Sequence, residues 1–101
     1  MLKSELLQVI ANGENSLVEF KRDDVRPEQL AKEVVALVNH QGGRILLGVE
    51  DDGAISGVKR DNLELWVMDT VFARHVHPWI VPTYEEVDLG DGSRVAVVTV
   101  T

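Results

Sequence analysis

Apolar residues recur at Leu6, Leu7 and Ile10, a helical spacing that predicts a first helix over residues 4–12. Ser4 is placed to cap its start and Gly13 to end it. From Leu17 to Lys21 the pattern changes to alternation, which predicts a short strand: Val18 and Phe20 face one way, Leu17, Glu19 and Lys21 the other. Asp23 to Arg26 form a polar connector, and Pro27 suits the first turn of a second helix. That helix, about residues 27–40, carries Leu30, Val34, Leu37 and Val38 at helical spacing, with Glu28 near its start and His40 near its end.

Gln41-Gly42-Gly43 stops the helix abruptly. Arg44 to Glu50 then reads as a strand apolar on both faces, hence central in a sheet. Asp52-Gly53 is a two-residue turn signal, with a return strand expected through Ala54-Ile55-Ser56-Gly57-Val58. A third helix is predicted from Asp61 or Asn62 to about Val76, with Leu63, Trp66, Val67 and Val71 inward and Pro78 marking its end. A second hairpin follows: Thr83 to Leu89, a Gly90-Asp91-Gly92 turn, and Arg94 to Thr101. The order αβαββαββ predicts an α+β domain, a mixed sheet with three helices packed on it.

At 101 residues there is room for one core, and 45% apolar content supplies it without staples. The absence of cysteine excludes disulfides, a thiolate nucleophile and thiolate-bound zinc. No apolar run approaches the roughly 18 residues of a membrane span, and the amphipathic start lacks a signal-peptide core, so no membrane partner and a cytoplasmic location are expected. Seventeen acidic against ten basic residues give a net charge of −7, which opposes strong non-specific binding to nucleic acid unless basic groups cluster locally.

Three segments bear a resemblance. They are Glu14 with Glu19-Phe20-Lys21; the helix end Val38-Asn39-His40-Gln41-Gly42-Gly43; and Ile45-Leu46-Leu47-Gly48-Val49-Glu50-Asp51-Asp52-Gly53 with Ile55 and Gly57. In this order and spacing they resemble the Schlafen AlbA-type domain, grouped with divergent AAA-like and DNA-binding domains. The resemblance spans about residues 8 to 100. It implies a module of a bacterial transcriptional regulator or helicase-related protein, and a chain ending at Thr101 inside a strand is expected to be the N-terminal part of a longer one. Some Schlafen members are RNA endonucleases with a three-carboxylate site. By position, that site corresponds to Glu14, Glu19 and Asp51, with Lys21 also matching.

The residues allow that chemistry and also a plainer account. Phosphodiester cleavage with Mg²⁺ or Mn²⁺ needs oxygen ligands gathered on an ion. Glu19 and Lys21 share a strand face, offering carboxylate to metal and ammonium to phosphate. Glu14 joins them only if residues 13–16 bend, and Glu50, Asp51 and Asp52 compete for the third place. Equally, Glu19 and Lys21 make a surface ion pair, and Asp52 serves its turn. Gly42 and Gly43 either let a phosphate approach the backbone or form a left-handed helix cap. No GxxxxGK[ST] sequence is present, so a P-loop is unsupported. His75 and His77, two apart, lack the spacing that pairs imidazoles on a helix. Trp66 reads as core, and Trp79, between Pro78 and Ile80, is the better base-stacking candidate.

The basic residues Lys21, Arg22 and Arg26, with Lys59 and Arg60, are the candidates for contacting nucleic acid. The expected function is therefore a nucleic-acid-binding module for DNA or RNA, non-catalytic in isolation. The alternatives are a metal-dependent endoribonuclease using Glu14, Glu19 and Asp51, and a protein-interaction module that forms a homodimer through an exposed strand edge.

Overall fold

The computed structural model describes residues 1–77 and 80–101. Pro78, expected to end the third helix, and Trp79, the base-stacking candidate, lie outside the described residues. The first helix, α1, spans Lys3–Asn12 and is followed by β1 (Val18–Lys21), α2 (Pro27–His40) and β2 (Gly43–Leu47). The third, α3, begins as a short turn over Leu63–Leu65 and continues as a π-helix over Trp66–Ala73; β3 (Thr83–Asp88) and β4 (Arg94–Val100) close the chain.

The four strands form one sheet in the order β1-β2-β4-β3. β1 and β2 run parallel, joined by α2 as a crossover, and the β2–β4 and β3–β4 pairs are antiparallel. The expected mixed α+β architecture is therefore present. Both faces are covered. Leu6 and Ile10 of α1 pack with Phe20, Leu46, Val95 and Val97 on one side. On the other, Leu30, Val34 and Leu37 of α2 and Val67 and Phe72 of the π-helix pack over Ile45, Leu47, Ala96 and Val98. This two-sided burial explains why β2 and β4 carry near-continuous apolar runs.

Several expectations are corrected. The cap of α1 is Leu2 rather than Ser4, and the Glu5 carboxylate reaches back to accept the Leu2 amide at 3.1 Å. Leu7 is exposed, because α1 lies flat on one sheet face and only Leu6 and Ile10 meet it. The segment Ala54–Val58 is not a strand. Val49 and Ile55 form a single antiparallel bridge, after which the Ser56 and Gly57 amides both turn onto the Gly48 carbonyl and the Val58 amide crosses to Arg94. Gly48 permits this close approach, since a Cβ there would sit 2.9 Å from the Gly57 backbone. In the third helix Trp66 is half-buried, while Val67 and Phe72, five residues apart, share the inner face as i→i+5 winding allows.

The Gly-Gly turn follows the structural alternative. Gly42 has φ of 81°, its amide donates to the Leu37 carbonyl, and a Cβ would meet the Val100 carbonyl at 2.5 Å. Gly43 is as tightly held against Leu17. The turn is thus a left-handed helix cap pressed against β4, and the Gly42 amide is already bonded.

Candidate functional site

β1 is an outer strand of the sheet, paired only with β2 among the described strands. Residues 13–17 fold back toward it: Asn15 bonds the Val18 backbone in both directions, and the Asn15 side chain accepts the Leu17 amide at 2.8 Å. This bend carries Glu14 to the outer edge, where its Oε2 accepts the Phe20 amide at 2.8 Å. Glu14 is thereby brought beside Glu19, through the bend that its odd spacing called for, and the two carboxyls interact.

Glu19 lies on the α2 side of the sheet with Lys21. Burial, then the hydrogen bond with Glu14 and the charge of Glu33, push its carboxyl up to about 7, against an opposing pull from Lys21. Lys21 Nζ is 3.4 Å from Glu33 Oε1 on α2, with both side chains about four-fifths covered. Glu33 is a member of this group that the sequence reading missed. Its signal was a carboxylate beside the apolar stripe of α2, one residue before Val34.

Asp51 does not join the group by any contact. It lies exposed in the turn, where the Glu50 amide bonds Ala54, the Gly53 amide bonds Glu50, and Asp52 Oδ1 accepts the Ala54 amide at 2.9 Å. Of the three consecutive acids, Glu50 is the one turned inward: its Oε2 is buried without a hydrogen bond, and Arg22 approaches Oε1 at 3.7 Å. Among the described residues, no three His, Asp or Glu side chains converge closely enough to hold a metal ion. One Glu14 oxygen is also bound to the Phe20 amide. As placed, the donor set Glu14, Glu19 and Asp51 does not fit Mg²⁺ or Mn²⁺.

The basic candidates divide into two kinds. Arg60 is structural: its guanidinium sits 3.8 Å over the Trp66 ring and donates to the Asp23 carbonyl at 2.7 Å. Asp23, a second residue missed from sequence, accepts the backbone amides of Lys59 and Arg60 at 2.9 and 3.0 Å. It latches the β1–α2 connector to the loop before α3. Arg22, Arg26 and Lys59 are exposed. Arg22 and Lys59 line one depression beyond the carboxyl end of β1 with Asp23, Asp24, Ser56 and Gly57, and Arg22 Nε lies 3.4 Å from Asp24 Oδ1. Arg26 caps α2 with no side-chain bond to the helix, and a cation at that positive end gives the helix no support. Lys21 is engaged by Glu33, and Arg22 by Asp24 and Glu50. The paired histidines show no joint site: His75 is exposed, and His77 Nε2 lies 3.3 Å from the Arg74 carbonyl.

Fold and surface together define a mixed α+β module with an acidic pair, Glu14 and Glu19, beside its outer strand and a rim of mixed charge at the strand's end. The Schlafen, AlbA_2 family matches residues 14–101, and the chain belongs to that family. Among solved structures, it is similar to the solution NMR structure of the N-terminal domain of a candidate ATP-dependent DNA helicase, a RecG-related protein from Nitrosomonas europaea. The TM-score is 0.68 at 22% identity, over 99% of this chain and 72% of that one. No curated protein matches the chain. Among the described residues, no helix is long and apolar enough to cross a membrane.

Proposed function

We propose that the domain is a nucleic-acid-binding module that holds its ligand without cleaving it. The observation that carries this reading is a rim of three exposed cations by the β1–α2 connector: Arg22 and Lys59 line one depression, shared with Asp23 and Asp24, and Arg26 stands at the start of α2. Ligands of parallel α/β units sit beyond the carboxyl ends of the strands, and here the rim also borders the N-terminus of α2, whose dipole favours phosphate. The net charge of −7 makes binding weak and strongly salt-dependent. Family membership and the likeness to the N-terminal domain of a helicase-related protein support the same class of ligand.

The test is fluorescence polarisation with labelled single- and double-stranded RNA and DNA, at salt from about 50 to 200 mM. The triple variant Arg22→Ala, Arg26→Ala, Lys59→Ala is expected to weaken every ligand and to lower the salt slope by about one per lost phosphate contact. Absence of binding at low salt, or an unchanged slope in the variant, would sink the reading. Cleavage of RNA in Mn²⁺ that disappears in Glu19→Ala would overturn its non-catalytic half and restore the endoribonuclease alternative.

A further inference from the structure

Lys59 and Arg60, in the loop before α3, turn two successive backbone amides onto one oxygen, Asp23 Oδ2, at 2.9 and 3.0 Å. Successive amides that converge in this way make an anion-binding concavity, and a guanidinium beside it adds charge. Here that guanidinium belongs to Arg60. Its stacking over Trp66 at 3.8 Å and its bond to the Asp23 carbonyl at 2.7 Å fix it before any ligand arrives. The loop is also tethered without the Asp23 side chain. The Gly57 amide donates to the Gly48 carbonyl, the Val58 amide to the Arg94 carbonyl, and the Arg94 guanidinium to the Arg60 carbonyl.

The carboxylate fills this concavity incompletely. Asp23 Oδ1 is buried without a hydrogen bond, and Arg60 Nε stays 3.8 Å from it. A phosphate group is tetrahedral: it can place one oxygen on the two amides, turn another to the guanidinium and present a third to the Lys59 ammonium. A depression of about 180 Å³, lined in part by Asp23, Ser56, Gly57 and Lys59, opens the way from solvent. Asp24 lines it too, but its carboxylate meets the exposed Arg22 at 3.4 Å and, among the described residues, no backbone amide.

We propose that the Lys59 and Arg60 amides, with the Arg60 guanidinium, form a phosphate site that Asp23 occupies as an internal stand-in. A phosphate group binds by displacing the Asp23 carboxylate, which swings out into the depression. Because that carboxylate is tethered beside the site, it competes at every ligand concentration and holds the affinity of the wild-type chain down. The site itself does not depend on the nucleic-acid reading; only the assignment of its phosphate to a nucleic-acid backbone rests on it.

The test titrates sodium phosphate, to about 50 mM at an ionic strength held constant with chloride, into isotopically labelled protein. Amide shifts are read alongside thermal stability. In Asp23→Ala, phosphate is expected to shift the Lys59 and Arg60 amides saturably, about tenfold or more tighter than in the wild type, and to raise the melting temperature where chloride does not. Asp24→Ala, which removes the same charge from the same depression, is expected to bind no better than the wild type. Asp23→Asn keeps an oxygen for the two amides and so guards against loss of the fold; it too is expected to gain affinity. Phosphate shifts absent from Asp23→Asn, or equally large in Asp24→Ala, would reduce Asp23 to a structural latch and overturn the proposal. A dinucleotide with one internal diester and a nucleoside monophosphate then separate the sources. A tighter response of these two amides to the diester assigns the site to nucleic acid, and a tighter response to the monoester assigns it to a free phosphate group. If phosphate binds here and no oligonucleotide binds the domain, the site stands while the nucleic-acid reading falls.

Discussion

At the residue scale, Glu19 is the side chain whose surroundings most alter its chemistry. Its carboxyl is raised from an ordinary 4.5 to about 7, first by burial, then by Glu14 and Glu33. The folded state therefore binds this proton more tightly than the unfolded chain. Its contribution is fully present below about pH 4.5 and is lost as pH rises through about 7. Glu19→Gln is expected to melt like the parent at pH 4 and to be more stable at pH 8, by on the order of 1 kcal/mol once solvent screening is allowed for. Thermal melts across that range check it, and a parent whose stability relative to the variant rises with pH would contradict it. Asp23 offers a second test. Its carboxylate satisfies two backbone amides, so Asp23→Ala is expected to cost about 1–3 kcal/mol in denaturant unfolding and to loosen exchange at the Lys59 and Arg60 amides.

At the scale of elements, α1 is held mainly by two side chains, Leu6 and Ile10, on a face of the sheet that has no other helix. Leu6→Ala is expected to cost about 2–4 kcal/mol, and native-state hydrogen exchange should show α1 opening before α2. The elements themselves were largely legible. Periodicity located all three helices, the Gly-Gly stop and the β3–β4 hairpin, because each depends on local spacing and turn chemistry. The segment Ala54–Val58 misled for a physical reason: Asp52-Gly53 does form a turn, but Gly48 lets the returning chain cross over its partner after one bridge. The π winding of the third helix left no mark in a pattern that suits α-helical spacing about as well. The site was legible in part. Glu19 and Lys21 share the face their spacing predicted and Glu14 reaches Glu19 only through the bend at residues 13–17, while Glu33 and Asp23 enter from segments whose contacts no local pattern announces.

For the whole molecule, the sheet separates two outer strands: β1, which ends at the depression where Arg22 and Lys59 stand with Asp23 and Asp24, and β3, whose Glu85 and Glu86 are paired with the Met1 ammonium and Arg94.

The sequence by itself determined the class of fold, the burial of β2 and β4, the glycine cap at Gly42 and the acidic balance, since these follow from side-chain periodicity, backbone sterics and composition. Tertiary structure alone decided which strands became the edges, which arginine was spent on Trp66 and Asp23, and which of Glu50, Asp51 and Asp52 faced inward. Those outcomes depend on contacts between segments far apart in the chain. A residue's local pattern records its own preference, but its role is set by the neighbour that packing brings to it.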